Sequence, residues 1–326
     1  MNKTIERSSG INIVSKYGQY IVFALLILAF SLTNKNFLTF SNFTLILQQM
    51  APFGVATIGM IFVLITAGID ISVGRIMFIS GVVVGEILLH LPTSLLNSPL
   101  LFVICFGAAI LVGALFGLVN GLLITKLNIY PFMATLLVGY IARGIGLTIA
   151  GITKYDVSVL GKIANSRIVG IPAAFLIFAV LTVIMNYVFR NTAFGKHTMA
   201  IGNNKAAAAQ IGINVDAHII LIYVMSGVFA AIGGLLSAGQ ISEVFTTFGE
   251  NNEFQIISAA VIGGASMFGG KGSILPGAII GVLLIQIVLN GLGMMNASVY
   301  IYSVVRGAII FFAVAIDCIN FKGELR

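Results

Sequence analysis

Charge is the scarcest commodity in this sequence. Asp, Glu, Lys and Arg make up 8% of 326 residues, about a third of what a soluble globular domain carries. There is no tryptophan, and there are only two cysteines, three histidines and six prolines. Each shortage excludes something. So few charges cannot clothe a water-facing surface of this size. Cys105 and Cys318 lie in or beside apolar runs with no metal or redox spacing, so both read as small core residues. His90, His197 and His218 are scattered near the ends of apolar runs, so neither a metal site nor a cofactor is expected. No nucleophile–base pair or metal cluster stands out, which argues against an intramembrane enzyme. The formal charge of +7 is dispersed through short loops rather than gathered on one face, which argues against nucleic-acid binding.

What is present is apolar mass. The AVILMFWYC set reaches 59% and mean hydropathy is +1.10, which points to lipid as the solvent. Glycine, at 37 residues, suits helices packed closely in a bilayer. Spans need roughly 17–25 residues, and ten runs qualify: about 17–33, 50–67, 75–92, 99–125, 132–151, 171–190, 216–238, 254–270, 273–295 and 298–317. The eighth is short and broken by glycine. Lys3, Arg7 and Lys16 before the first run imitate a signal peptide, with Ala29 and Ser31 near a cleavage-like site; so many spans follow that an uncleaved first helix is the better reading.

Orientation follows from loop charge. With the N-terminus inside, cytoplasmic segments hold Lys3, Arg7, Lys16, Arg75, Lys126, Arg190, Lys196, Lys205, Lys271, Lys322 and Arg326, against Lys35, Lys154, Lys162 and Arg167 outside. That satisfies the positive-inside rule. The expectation is one all-α, polytopic transmembrane domain over residues 1–326, with about ten helices, both termini cytoplasmic and no soluble domain. Its two long connections are 152–170 outside, able to meet an external partner, and 191–215 inside.

Several segments carry chemistry. In residues 200–212, Asn203 or Asn204 can cap a helix, Ala206 to Ala209 favour it, and Gly212 can stop it. This predicts a short cytoplasmic helix of two or three turns, with a smooth face suited to docking or simply exposed to water. Gly68-Ile-Asp-Ile-Ser-Val-Gly74 is a glycine-bounded break. Asp70 and Ser72 there either cap the third span or belong to a broken helix lining a pathway. Glu86, Arg143, Glu253 and Arg306 lie within or at the edge of spans, where a charge costs about 2.5–3.5 kcal/mol at the centre, so they should face protein or water. Glu253 and Arg306 are candidates for a polar pathway or for internal pairing. Gly270-Lys271-Gly272 fails the phosphate-loop pattern at both ends and reads instead as a tight turn. The stripes Gly113, Gly117, Gly121 and Gly277, Gly281 put small residues on one helix face for packing within the subunit or against a second copy.

With those residues in hand, the stretch Phe194-Gly-Lys-His-Thr-Met-Ala-Ile-Gly-Asn-Asn-Lys-Ala-Ala-Ala-Ala-Gln-Ile-Gly-Ile-Asn214 resembles the coupling loop of the ribose-type ABC permeases. Gly68 to Gly74, Asn120 to Lys126, Pro131 to Thr135, Ile262 to Ser273 and Asn290 to Gly293 agree in order. The resemblance implies an inner-membrane permease subunit of a bacterial importer for monosaccharides or related small polar solutes. Its partners would be a cytoplasmic ATPase, a second permease copy or paralogue, and an extracytoplasmic substrate-binding protein. Asn203, Asn204, Lys205, Ala206, Ala207, Ala208 and Gly212 would form the element that couples to the ATPase. The family usually reads Gly-Asn-Glu-Ala-Ala where this chain has Asn203, Asn204, Lys205, Ala206 and Ala207, a charge reversal that bears on which ATPase docks. Glu253 falls where the family also carries Glu, although its neighbours Asn252, Phe254 and Gln255 differ. The competing reading is an ion-coupled secondary transporter using Glu86 or Glu253 as carrier, which would need no docking helix.

Overall fold

A computed structural model describes residues 24–96, 98–151 and 154–324. In chain order the helices are α1 (Ala24–Thr33), α2 (Phe40–Ile65), α3 (Val73–His90), α4 (Thr93–Leu96), α5 (Leu100–Lys126), α6 (Pro131–Ala150), α7 (Gly161–Ala164), α8 (Ala173–Asn191), α9 (Ala193–Asn203), α10 (Lys205–Gln210), α11 (Val215–Ile241), α12 (Asn252–Ile262), α13 (Gly277–Met294) and α14 (Val299–Glu324). Four two-residue strands, β1 (Tyr155–Asp156), β2 (Arg167–Ile168), β3 (Ile171–Pro172) and β4 (Glu243–Val244), form the antiparallel pairs β1–β4 and β2–β3.

Seven helices, α2, α3, α5, α6, α8, α11 and α13, are long and apolar enough to cross a bilayer. The chain is therefore a predominantly helical, all-α-class polytopic membrane protein. The first expected span is seen as Ala24–Thr33, its earlier part lying outside the described residues, and the tenth falls on α14, apolar over Tyr300–Ala315. The eighth differs. Its helix, α12, has 11 residues, about 16 Å and so about half the hydrocarbon thickness. It ends at a turn where Gly264, Gly269 and Gly270 take φ values of +96°, +87° and +73°, open to glycine without a Cβ penalty.

α2 begins ten residues before its apolar run. Thr39 caps it by accepting the Asn42 N–H at 3.3 Å. Its early polar side chains then find partners on α13: Asn42 and Asn290 exchange amide hydrogen bonds at 3.0 and 2.9 Å, and Gln286 donates to Gln49 at 2.8 Å. Paired amides can lie at membrane depth where single ones could not.

α11 forms the centre, packed against α5, α2 and α3. The α5 stripe meets it backbone to backbone. A Cβ on Gly113 would lie 2.3 Å from the Gly227 carbonyl oxygen, and one on Gly117 2.3 Å from that of Tyr223. Gly277 and Gly281 likewise press on Gly263 and Ala259 at α12. Both stripes are used inside the subunit. α5, α6 and α8 turn exposed residues such as Leu111, Leu137 and Val183 outward, as lipid contact requires.

Candidate translocation site

The chain between α2 and α3 is a true break in the helix. Asp70 is fully buried there. Its Oδ1 accepts the Ser72 N–H at 3.0 Å and the Ser72 hydroxyl at 2.5 Å, and its Oδ2 accepts the Ser226 hydroxyl at 2.7 Å. Asn120 donates to Ser72 Oγ at 2.8 Å, the Ile71 N–H donates to Thr135 Oγ1 at 3.1 Å, and the Tyr223 hydroxyl donates to the Ile69 carbonyl at 3.2 Å. α5, α6 and α11 thus all reach into the gap and satisfy groups the missing helix turn leaves open. Ser72 sits at the N-cap position of α3 but makes no side-chain cap bond, because its hydroxyl is turned to Asp70. Both Asp70 and Ser72 are 0% exposed, and their hydrogen bonds tie helices together.

Glu253 lies elsewhere, with company the sequence did not announce. Its Oε1 is 3.4 Å from Arg75 Nη1. The Arg75 guanidinium lies 4.7 Å from the centre of the Tyr140 ring. Arg143 donates to the carbonyls of Thr246 and Phe248, the latter at 2.8 Å, and to Glu250 Oε1 at 2.6 Å. Arg75, Tyr140, Arg143, Glu250, Asn251 and Glu253 line a cavity of about 230 Å³.

This cluster corrects the loop assignment made from charge, which placed Arg75 at the cytoplasmic surface, whereas the order of the ten runs puts residue 253, just before the eighth, on the outer side. An ion pair cannot join opposite surfaces. The two meet because α3 and α12 both begin part-way through the bundle. Residues 245–251 descend as irregular backbone beside α3: Val244 and Phe248 press on Gly81, and Gly249 and Glu253 on Gly74. The first turns of α3 and α12 therefore abut. Arg143, already marked as a charge inside a span, is what holds the irregular carbonyls. The only sequence signal for the rest was the short polar run Gly249-Glu250-Asn251-Asn252 ahead of the eighth apolar stretch.

The other marked charges stand apart. Arg306 is half-buried on α14 with its Nε unpaired, and no described hydrogen bond or ion pair joins it to the cluster. Glu86 sits at the far end of α3, 3.5 Å from His90, and accepts the Tyr155 hydroxyl at 2.8 Å. Burial, with Glu86 beside it, pushes the Tyr155 phenol up to about 12, so it stays a donor across the physiological range. Tyr155 belongs to the β1–β4 cover over this end of the bundle. The neighbouring β2–β3 hairpin carries Val169 at its tip, 97% exposed.

At the opposite end, α9 and α10 supply the expected short helix with altered details. Asn204, not Asn203, is the cap, accepting the Ala207 N–H at 3.0 Å. α10 has six residues, under two turns, and Gly212 (φ +87°) follows it. Lys205, Ala206, Ala207, Ala209 and Ile211 are exposed, whereas Ala208 is buried. α9 is fastened to α11 by Thr198 and His218, 2.9 Å apart. Its end is locked to two other segments. A Cβ on Gly202 would lie 1.8 Å from the Ile65 carbonyl oxygen, Asn203 packs on Gly270, and the Gly270 N–H donates to that same Ile65 oxygen at 2.8 Å. The turn after α12 is held in its turn by Asp317 of α14, which accepts the Met267 N–H at 2.8 Å. Among the described residues no group of His, Cys, Asp and Glu could hold a metal ion.

A family model described as branched-chain amino acid transport system / permease component matches residues 42–314. Among curated proteins, the D-allose transport system permease protein AlsC of Escherichia coli K12 is 33% identical over 93% of this chain and 91% of its own length. The ribose import permease protein RbsC of Bacillus subtilis 168 is 34% identical over 94% and 93%. The galactose/methyl galactoside import permease protein MglC of Escherichia coli K12 is 31% identical over 97% and 98%. No solved structure matches the chain.

Proposed function

Because the chain belongs to the branched-chain amino acid transport system / permease component family, among its ribose-type ABC sugar-importer permeases, we propose that it forms one half of an inner-membrane pathway for a monosaccharide. In this reading, a separate ATPase works the pathway through α10. The observation that carries the reading is a continuous contact route. α10 adjoins α9, whose Gly202 and Asn203 press on Ile65 at the foot of α2 and on Gly270 at the foot of α12. A push on α10 therefore reaches both the break that holds Asp70 and the half-helix α12, whose first turn holds Glu253. Small exposed alanines let a partner approach the backbone closely, while Asn203 and Gly212 bound the element without contributing bulk.

In this reading the ten expected crossings are kept, with one change. Both termini lie on the cytoplasmic side, and the eighth crossing is shared, half by irregular residues 245–251 and half by α12. Removing Arg75 from the cytoplasmic loops leaves the positive-inside bias intact. Glu253 borders the pathway; Asp70 and Ser72 serve it as a tie from behind; Arg306 lies on α14 outside the cluster. The β2–β3 hairpin and the β1–β4 cover face the substrate-binding protein. The polar face of α3 and α6 faces the second permease copy or paralogue.

The test is reconstitution with the cognate ATPase and binding protein in liposomes, measuring uptake of D-allose, D-ribose and D-galactose. Uptake is expected to need ATP and to persist when ionophores collapse the ion gradients; uptake lost with the gradients overturns the proposal in favour of ion coupling. Lys205→Glu is expected to lower uptake by about tenfold with the cognate ATPase, because it reverses a charge at the docking rim, while permease abundance in the membrane stays unchanged.

A further inference from the structure

We propose that the cavity between α3, α6 and residues 245–251 is a transit subsite for an uncharged, polyhydroxylated solute. Glu250, Arg75 and Tyr140 contact the solute, and Arg143 is the positioning residue. The assignment rests on the importer reading above and deepens it.

Depth comes first. Arg143 lies twelve residues beyond Pro131 in a helix that ends at Ala150, about 18 Å from one end and about 10 Å from the other. Charged side chains at that depth do not face hydrocarbon. Irregular backbone such as 245–251 persists there only when buried in protein or lining a watery cavity. Yet the Glu250 side chain is 51% exposed and Tyr140 is 62% exposed, so this face opens onto something polar.

Charge balance selects what that something is. Two guanidinium groups face two carboxylates, so an anion would meet Glu250 and a cation would meet Arg75, while a neutral solute meets no net opposition. Hydrogen-bond capacity is left over. Among the described residues Arg75 has only the Ile71 carbonyl and Glu253 as polar partners, Glu250 uses one oxygen on Arg143, and the Tyr140 hydroxyl has no partner. Adjacent hydroxyls, each both donor and acceptor, can fill a free carboxylate oxygen and free guanidinium donors together. Arg75 covers one side of the Tyr140 ring, and the exposed remainder suits the apolar C–H face of a sugar ring. Arg143 spends both Nη2 donors and one Nη1 donor on the Thr246 and Phe248 carbonyls and Glu250. It sets the position of Glu250 without needing to touch the solute. At about 230 Å³ the cavity falls below the roughly 300–1,000 Å³ of sites that hold drug-sized ligands, which fits a small solute held loosely enough to leave.

The experiment uses the complete reconstituted transporter and the same three sugars measured separately. Tyr140→Ala is expected to lower uptake at least fivefold and to change the ratio of the three rates. Glu250→Gln leaves an excess of positive charge, so D-gluconate is expected to inhibit uptake by this variant and not by the parent. Thermal exposure of Cys105 to a maleimide dye checks folding of each variant. If the parent carries none of the three sugars, the importer reading fails and takes the subsite with it. If the parent carries sugar but both variants stay within twofold, with unchanged ratios and no gluconate effect, the subsite alone is overturned. A uniform loss of rate with fixed ratios and no gluconate effect also overturns it, because that pattern marks a purely structural role.

Discussion

Asp70→Ala is expected to destabilise the chain by about 3–5 kcal/mol, enough to remove most correctly folded protein from the membrane. The carboxylate accepts three hydrogen bonds in a fully buried setting. Removing it strands the Ser72 N–H and two hydroxyls, and each stranded buried donor costs about 1–3 kcal/mol. The hydroxyls can recover part of this by turning to nearby carbonyls, so the total falls below the simple sum. The Ser72 N–H has no such freedom. Asp70→Asn keeps an acceptor at Oδ1 but presents an NH2 group to Ser226, so it should recover about half of the loss. The measurement is the thermal midpoint at which buried Cys105 becomes reactive to a maleimide dye, in a Cys318→Ser background. An unchanged midpoint for Asp70→Ala would show that the network does not hold the break together.

Gly113→Val should cost about 3 kcal/mol or more, by a different mechanism. The obstruction is backbone: a Cβ at this position would lie 2.3 Å from the Gly227 oxygen and 2.7 Å from its carbon. No side-chain rotation relieves that, so α5 must move away from α11. Overpacking typically costs about 1–3 kcal/mol, and more where nothing can yield. The separation also opens neighbouring contacts at Gly117 and Gly121, since the three glycines form one seam. Gly113→Ala should fall between parent and valine. Cys105 lies eight positions earlier on the same helix, so its labelling rate at fixed temperature reports the opening directly. Faster labelling in the order valine, alanine, parent is the expected result.

The architecture was legible where hydropathy and helical periodicity say the same thing. The seven long helices all fall on expected runs, and both glycine stripes mark real seams. Reading failed where polar residues at membrane depth are satisfied by partners distant in sequence. Asn42, Gln48 and Gln49 make the start of α2 look like a loop, yet Asn290, Asn165 and Gln286 complete them. Arg75 looks like a cytoplasmic loop charge because its partner Glu253 is 178 positions away. The short helix at 205–210 was visible from its alanines, but its cap was ambiguous between two asparagines; Asn204 takes the role by accepting the Ala207 N–H, while Asn203 packs on Gly270. Asp70 and Ser72 read as caps or as part of a broken helix; the partners that bury them come from α5 and α11, which local sequence cannot place.

The abutment of α3 and α12 has an electrostatic consequence. Each helix N-terminus carries roughly half a positive charge, and here two such ends meet deep in the bundle beside the Arg75 and Arg143 guanidinium groups. Glu253 and Glu250 offset this field only in part. In the proposed pathway these two half-helix ends present a hill to sodium ions and protons, as half-helix ends do in other pores that reject cations. A sugar could then cross without carrying a leak current, and the membrane potential that the rest of the cell depends on would be left undrawn.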